Sequence, residues 1–298
     1  MSVTVELDAP RPPQGEGFSD AVTFAFGDPG AELYAIARLG LAGERASGLA
    51  IVFHRGQPVA VSAQGDVAPA DAGTWDGVRA AGLDSETVQP LRVWNLALAH
   101  DDVSIDVAFE ALGPIGELDP DDPVARAGGM AGYEQPCRVG GQASVGGVHM
   151  AIEGLGQRGR SWGSPDWERL AVARTLSAWL DEDLAVSLSA VRPATAGDHG
   201  AELVSAVVLE REEETGEPRA TAVLDARLST TADAEGRQRN AGLELWVDED
   251  GDARRVAGHV LCGTTLDLGR LRLDCSFFSW QMEGRTGFGR YDVLRRSP

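Results

Sequence analysis

No lysine occurs among the 298 residues: all 26 basic side chains are arginine, set against 46 carboxylates for a net charge of -20. Schiff-base chemistry and a lysine base are thereby excluded. The charge argues against nucleic acid and anionic membrane surfaces as partners, since both would repel such a chain and no basic patch interrupts it. Cysteine is scarce as well. Cys137, Cys262 and Cys275 are odd in number, widely spaced and free of a CxxC pattern, which argues against a disulfide framework or a cysteine-rich zinc site. His54, His100, His149, His199 and His259 form neither HxH nor HExxH, so no metal is expected. Phosphate-loop and dinucleotide fingerprints are missing, and no organic cofactor is expected either. No run approaches the roughly 20 apolar residues of a membrane span, and the first eight residues lack the basic start and apolar core of a signal peptide. These absences lead to the expectation of a cytoplasmic protein without an integral membrane segment.

Convincing helices are also few, whereas short segments of alternating apolar and polar residues recur between Gly-, Pro- or Asp-rich turns. Examples are residues 22–26, 32–39, 48–54 and 57–63, followed by a hairpin signal in which 91–99 and 103–111 flank His100, Asp101 and Asp102. Residues 112–132 are rich in Pro, Gly and Asp and read as a long connection. A second β-block then runs through a Gly146-Gly147 turn and a series of hairpins to a glycine-rich end at 284–292 that suits a bent closing strand. The pattern predicts a mainly β protein of two consecutive antiparallel, barrel-like domains with short helices, residues 1–125 and 126–298.

The densest chemistry lies in residues 154–167, which read GLGQRGRSWGSPDW. Arg158 and Arg160 alternate on a presumed strand and so share a face, where they could clamp a carboxylate or pair with acids of the protein itself. Trp162 and Trp167 offer flat apolar surfaces suited to an unsaturated ligand. Asp166, between Pro165 and Trp167, is the candidate acid if apolar surroundings keep its carboxyl protonated, and otherwise the cap of a short helix over 165–171. Tyr133 and Glu134 open the second block and could supply a hydroxyl and a second carboxylate. Gly159-Arg-Ser161-Trp-Gly163 has the letters of a nucleophile elbow without its strand-to-helix context, so Ser161 is not read as a nucleophile.

At this window, and at Tyr133-Glu-Gln-Pro-Cys137, the chain resembles the two-domain lipocalin-like superfamily that includes hydroxyneurosporene synthase, a carotenoid hydratase, together with related bacterial proteins. The shared frame is the spacing of Gly154, Gly156, Arg158, Ser161, Trp162, Gly163, Asp166 and Trp167. The resemblance implies two calycin-like β-barrels and, for enzymatic members, acid-catalysed hydration or rearrangement of isoprenoid alkenes without metal or organic cofactor. Relatives usually carry Asp-His where this chain has Gly159-Arg160, and a guanidinium cannot replace an imidazole as an acid or base at neutral pH. The expected activity is protonation of an alkene in a hydrophobic isoprenoid or polyene, as a hydratase (hydro-lyase) or an isomerase/cyclase. Asp166 would be the acid, and Arg158, Arg160, Trp162, Trp167, Tyr133 and Glu134 would contact the substrate. The alternative is a non-catalytic carrier of an apolar small molecule.

Overall fold

Strand formation follows directly from the alternation and from tight turns. Arg55-Gly56, Gly146-Gly147 and Glu283-Gly284 all have positive φ at both positions, the left-handed geometry that joins antiparallel strands with the twist they need. A computed structural model describes residues 5–68, 73–197, 199–212 and 215–297, so residues 1–4 and two glutamates of the charged turn at 211–217 lie outside the described residues.

The chain divides into two units, residues 1–112 with 132–164, and residues 113–131 with 165–298. The first holds β1 (Ser19–Asp28), β2 (Leu33–Ala42), β3 (Arg45–His54), β4 (Gln57–Val67), β5 (Leu83–Gln89), β6 (Val93–His100), β7 (Val103–Ala111), β9 (Met130–Val145) and β10 (Val148–Gly163), whereas the short β8 (Gly116–Leu118) falls in residues assigned to the second. They lie in the order β4-β3-β2-β1-β10-β9-β7-β6-β5. The second unit holds β11 (Leu170–Trp179), β12 (Leu184–Pro193), β13 (Leu203–Arg211), β14 (Pro218–Ala222), β15 (Asp225–Ala232), β16 (Gln238–Trp246), β17 (Arg254–Asp267), β18 (Leu271–Met282) and β19 (Arg285–Arg296). Their order is β14-β13-β12-β11-β19-β18-β17-β16-β15.

Both sheets have one topology: four strands in sequence, then five more, the last of which pairs with the first. The repetition extends to chemistry. Asp20 lies opposite Trp162 and bonds diagonally to Arg160, and Arg174 lies opposite Val293 and bonds by the same diagonal to Tyr291. In the second unit β14 and β15 occupy opposite ends of the sheet order yet only Val223 and Leu224 separate them, with Val223 N–H bonded to Ala206 O (2.9 Å) and Leu224 N–H to Trp246 O (2.7 Å). A sheet whose two ends meet across two residues must be rolled, which is how an antiparallel sheet hides its edges. In the first unit Gln64 of β4 accepts a bond from Ala81 N–H, just before β5 (2.8 Å).

The mainly β architecture matches the expectation, but the division of the chain does not. A boundary at 125/126 assumes that the second block begins a new domain, whereas β9 and β10 pair with β7 and β1 and complete the first sheet. The two units are interleaved in sequence, and residues 154–164 belong to the first. The expected short helix at 165–171 is a turn followed by β11, because Leu170 and Val172 take up strand pairing with β12. A helix stands instead in the long connection, α1 (Pro123–Gly128), where the Asp122 carboxylate caps Val124 N–H (2.7 Å), Pro123 starts the first turn and Gly129 ends it at φ 67°. Among the described residues no helix is long and apolar enough to cross a membrane.

The inner face of each sheet is packed core. In the first unit Val22, Phe24, Phe26, Trp75, Trp94 and Phe109 are among its buried members; in the second, Leu176, Leu188, Phe278, Trp280 and Tyr291.

Candidate functional site

Residues alternate across β10, so its two faces carry different chemistry. Arg160 and Arg158 lie opposite Val22 and Phe24 and point with them into the core of the first unit. Both are fully buried, and each is met by an aspartate. The Arg158 guanidinium pairs with the Asp8 carboxylate and donates to the Tyr133 hydroxyl. Asp8 also accepts from Leu91 N–H (2.7 Å) and Trp94 Nε1–H (2.9 Å), while the indole of Trp94 lies 5.0 Å from the guanidinium carbon of Arg158. The Arg160 guanidinium bonds both oxygens of Asp20 (2.8 and 2.5 Å) and the carbonyls of Leu7 (2.8 Å) and Ala9 (3.0 Å), under the ring of Trp75 at 4.9 Å. Two cations and two anions thus cancel inside the core, held by these bonds, while Arg158 Nε and Arg160 Nε are buried without an acceptor among the described residues. The amino-terminal segment is pinned across the sheet as a result. Trp162 is buried on the same side, with the Arg11 guanidinium 3.8 Å above its ring.

Burial pushes the Tyr133 phenol up from its ordinary value to about 12, against the pull of the Arg158 cation. Tyr133 is therefore a neutral phenol at any physiological pH. The Cys137 thiol nearby is likewise raised by burial to about 12 and is no nucleophile.

The opposite face of β10 carries Gln157, Gly159 and Ser161. Glu134, projecting from β9 on the side away from Tyr133, lays its carboxylate over Gly159: a Cβ at that position would fall 2.1 Å from Glu134 Oε2. The buried Gln157 amide donates to this same oxygen (2.6 Å). Gly159 pairs with Thr23, and Thr23 pairs with Arg38 on β2, so one cross-strand row runs from Glu134 over Gly159 and Thr23 to Arg38. The half-buried Arg38 turns back over this row and donates to Ser161 Oγ (3.2 Å) and Thr23 Oγ1 (3.4 Å). The next row of the same face is Gln157, Ala25, Ile36 and Ile51, and the one beyond is Leu155, Gly27, Tyr34 and Phe53. A carboxylate and a guanidinium stand over a floor of small side chains beside an apolar strip.

The remaining residues expected at a site, Asp166 and Trp167, fall in the second unit. Asp166 is exposed in the turn before β11, where its carboxylate accepts from Glu168 N–H and its carbonyl from Arg169 N–H, both at 3.0 Å. Trp167 is half-buried against Val124, Leu170 and Val191. The structure thus joins Tyr133, Arg158, Arg160 and Trp162 on one face, puts Glu134 on the other, and places Asp166 and Trp167 elsewhere. Asp8, Asp20, Thr23, Arg38 and Gln157 were not singled out from the sequence. Arg38 had a signal, as the one charged residue in the ten of β2. Asp8 had none, lying at the end of a single 3-10 turn, Val5–Asp8, before the first strand. Among the described residues no group of three His, Cys, Asp or Glu is arranged to hold a metal ion.

A family model described as a domain of unknown function, DUF7064, matches residues 4–296. The chain belongs to the DUF7064 family. Among curated proteins none matches it. Solved structures share its fold across nearly the whole chain. A candidate AttH (NE1406) from Nitrosomonas europaea is 14% identical with a TM-score of 0.70, over 93% of this chain and 91% of that one. Kievitone hydratase from Nectria haematococca is 13% identical at 0.63, over 94% and 89%. CghA is 10% identical at 0.65, also over 94% and 89%. The resemblance to the two-domain lipocalin-like superfamily therefore holds for this DUF7064 chain at the level of the fold.

Proposed function

We propose that this DUF7064 protein is a cofactor-independent enzyme that protonates an alkene of a hydrophobic isoprenoid or polyene, with Glu134 as the acid. The observation that carries the reading is the Glu134 carboxyl itself, half-buried, held by the Gln157 amide and laid over a position with no side chain. A carboxyl fixed in position in this way is placed to act as a proton donor to a bound alkene. Asp166 lacks this setting, being exposed and engaged by its own turn. Arg158 and Arg160 act on this reading as structural ions, since Asp8 and Asp20 already neutralise them. The resemblance described above leads one to expect aspartate at position 159; here Glu134 brings a carboxyl to the same place from the neighbouring strand. Fold similarity to a hydratase is in keeping with this chemistry.

In the reaction Glu134 would give its proton to one alkene carbon and leave a cation at the other. Water adding there and returning a proton to the carboxylate gives hydration; loss of an adjacent proton to the carboxylate gives isomerisation; attack by a second alkene, followed by loss of a proton from the new cation to the carboxylate, gives cyclisation. The test is incubation of the purified protein with polyene and isoprenoid alkenes in deuterated water, with products read by mass spectrometry. Deuterium incorporation by the wild type, reduced about 100-fold or more in Glu134→Gln and retained in Asp166→Asn, is the expected result, in the range ascribed to a positioned proton donor. Full incorporation by a folded Glu134→Gln protein would refute the assignment. Binding without incorporation by the wild type would identify a carrier.

A further inference from the structure

We infer that the second unit carries a binding groove for an uncharged oligosaccharide on the outer face of β15 to β19. The groove shares no residue with the site built around Glu134, and the inference does not depend on that reading.

A cavity of about 860 Å³ opens on this face, within the roughly 300–1,000 Å³ typical of ligand sites. Its floor is one cross-strand row, Ser229, Gly242, Ala257, Gln281 and Thr286, which the register places side by side on five neighbouring strands. Leu228, Leu243, Val256 and Met282, one position away on their strands, pack into or against the core of the second unit, so the floor faces outward. From Ser229 to Thr286 it covers four strand intervals, about 19 Å at about 4.8 Å each. Arg227, Glu244 and Arg255 form the next row on the same face, and their longer side chains make a wall beside the low floor. The shape suits an extended chain lying across the strands.

The chemistry of the lining selects an uncharged one. Its ionic side chains are already paired: Arg227 with Asp225 (3.4 Å), Arg255 with Glu244 (3.5 Å), Arg285 with Asp181 (2.8 Å) and Glu283 with Arg254 (2.6 Å). On a chain of net charge -20 the groove is thus a locally balanced surface, with no surplus of either sign to draw an ion. The neutral polar groups are the ones left over. Among the described residues the Gln281 amide and the Thr286 hydroxyl make no side-chain hydrogen bond, and Ser229, which donates to Gly242 O (3.2 Å), keeps its lone pairs. Donors and acceptors therefore alternate with the small residues Gly242 and Ala257, over which the C–H face of a sugar ring can lie while its hydroxyls, each both donor and acceptor, meet the polar groups. A peptide strand is the poorer occupant, because β16 to β19 are paired on both sides and offer no backbone edge to extend.

The probe is cellohexaose, a neutral and straight hexasaccharide, titrated calorimetrically into the purified protein, with hexagalacturonate as its charged counterpart. The wild type should bind cellohexaose with a dissociation constant of about 1 mM or tighter, and the galacturonate about tenfold more weakly or not at all. Ala257→Trp, which raises a bulky ring from the middle of an exposed floor, should abolish binding and leave the urea midpoint unchanged. Gln281→Ala should weaken binding about fivefold, the loss of one hydrogen bond. Absence of cellohexaose binding by the wild type overturns the inference without requiring any variant to fold, as does galacturonate binding of equal or greater strength. Unchanged affinity in folded Ala257→Trp puts the sugar elsewhere and overturns it too. Should Ala257→Trp fail to fold, Gln281→Ala decides, and full affinity there refutes the groove.

Discussion

Replacing Asp8 by alanine removes one carboxylate from a segment that precedes every strand, yet it should be among the most damaging single changes in the first unit. The carboxylate is 3% exposed and is the ionic partner of Arg158, which is fully buried. Breaking a buried pair by removing one member typically costs about 3–5 kcal/mol, because the remaining charge is stranded in a medium that cannot solvate it. The N–H groups of Leu91 and Trp94 Nε1 lose their acceptor at the same time, at about 1–3 kcal/mol for each if water cannot reach them. These costs overlap, and about 4 kcal/mol is the expected net loss, a large part of the roughly 5–15 kcal/mol of a typical domain. Because two units can unfold separately, local hydrogen exchange is a better readout than a single melting curve. Amides of β9 and β10 should exchange about a thousandfold faster, since each 1.4 kcal/mol is roughly a factor of ten. The double variant Asp8→Ala with Arg158→Met leaves no unpaired buried charge at this position and should recover at least half of the loss. If Asp8→Ala lies within about 0.5 kcal/mol of the wild type, or the double variant is less stable than the single one, the pair does not hold the segment in the way described.

Gly159→Ala should cost little stability, below about 1 kcal/mol, because the new methyl meets only the end of the flexible Glu134 side chain; it should still impair deuterium incorporation by displacing that carboxyl. Gly289→Ala is the contrasting case, with backbone Ser177 O only 1.9 Å from the new carbon, and should lower stability by about 3 kcal/mol in urea unfolding. Stability should fall as pH rises above about 9. The native Tyr133 phenol and the Cys137 and Cys262 thiols are all raised to about 12, so the unfolded chain loses those protons first and is favoured between the ordinary and the raised values. Urea midpoints measured between pH 8 and 11 test this, and a constant midpoint would contradict it. All three cysteines are buried, and a thiol reagent should modify none in the native protein and all three in denaturant.

Most strands could be read from alternation and turn residues, since a half-buried strand must alternate and a two-residue hairpin needs special backbone geometry. Strands such as 22–26, 48–54 and 103–111 fall inside β1, β3 and β7 for that reason. β14 and β15 were missed: Pro218–Ala222 and Asp225–Ala232 have few buried side chains and therefore little apolar signal. The boundary at 125/126 misplaced β9 and β10 because alternation reports a strand without reporting its partner, and the partner of β10 is the first strand of the chain. The side chains of residues 158 and 160 were correctly put on one face, but their partners were out of reach, since Asp20 and Arg160 are separated by 140 residues. Glu134 lies over Gly159, which shares a cross-strand row with Thr23 and Arg38, and that row is set by the register of β10, β1 and β2.

Pairing the last strand of each sheet with the first carries a consequence for synthesis. Ser19 meets Gly163 across β1 and β10, and Val172 meets Arg295 across β11 and β19. At about 5–20 residues per second, roughly ten seconds or more of translation separate β1 from the strand that covers its open side. Contacts so distant in sequence also slow folding after release, because the chain must close a long loop before they form. Throughout that interval the free edge of a largely apolar strand is available to any other chain. The surplus of carboxylates, which gives a newly made copy a strong repulsion for another of its own kind, is then a protection for the nascent protein as much as a property of the folded one.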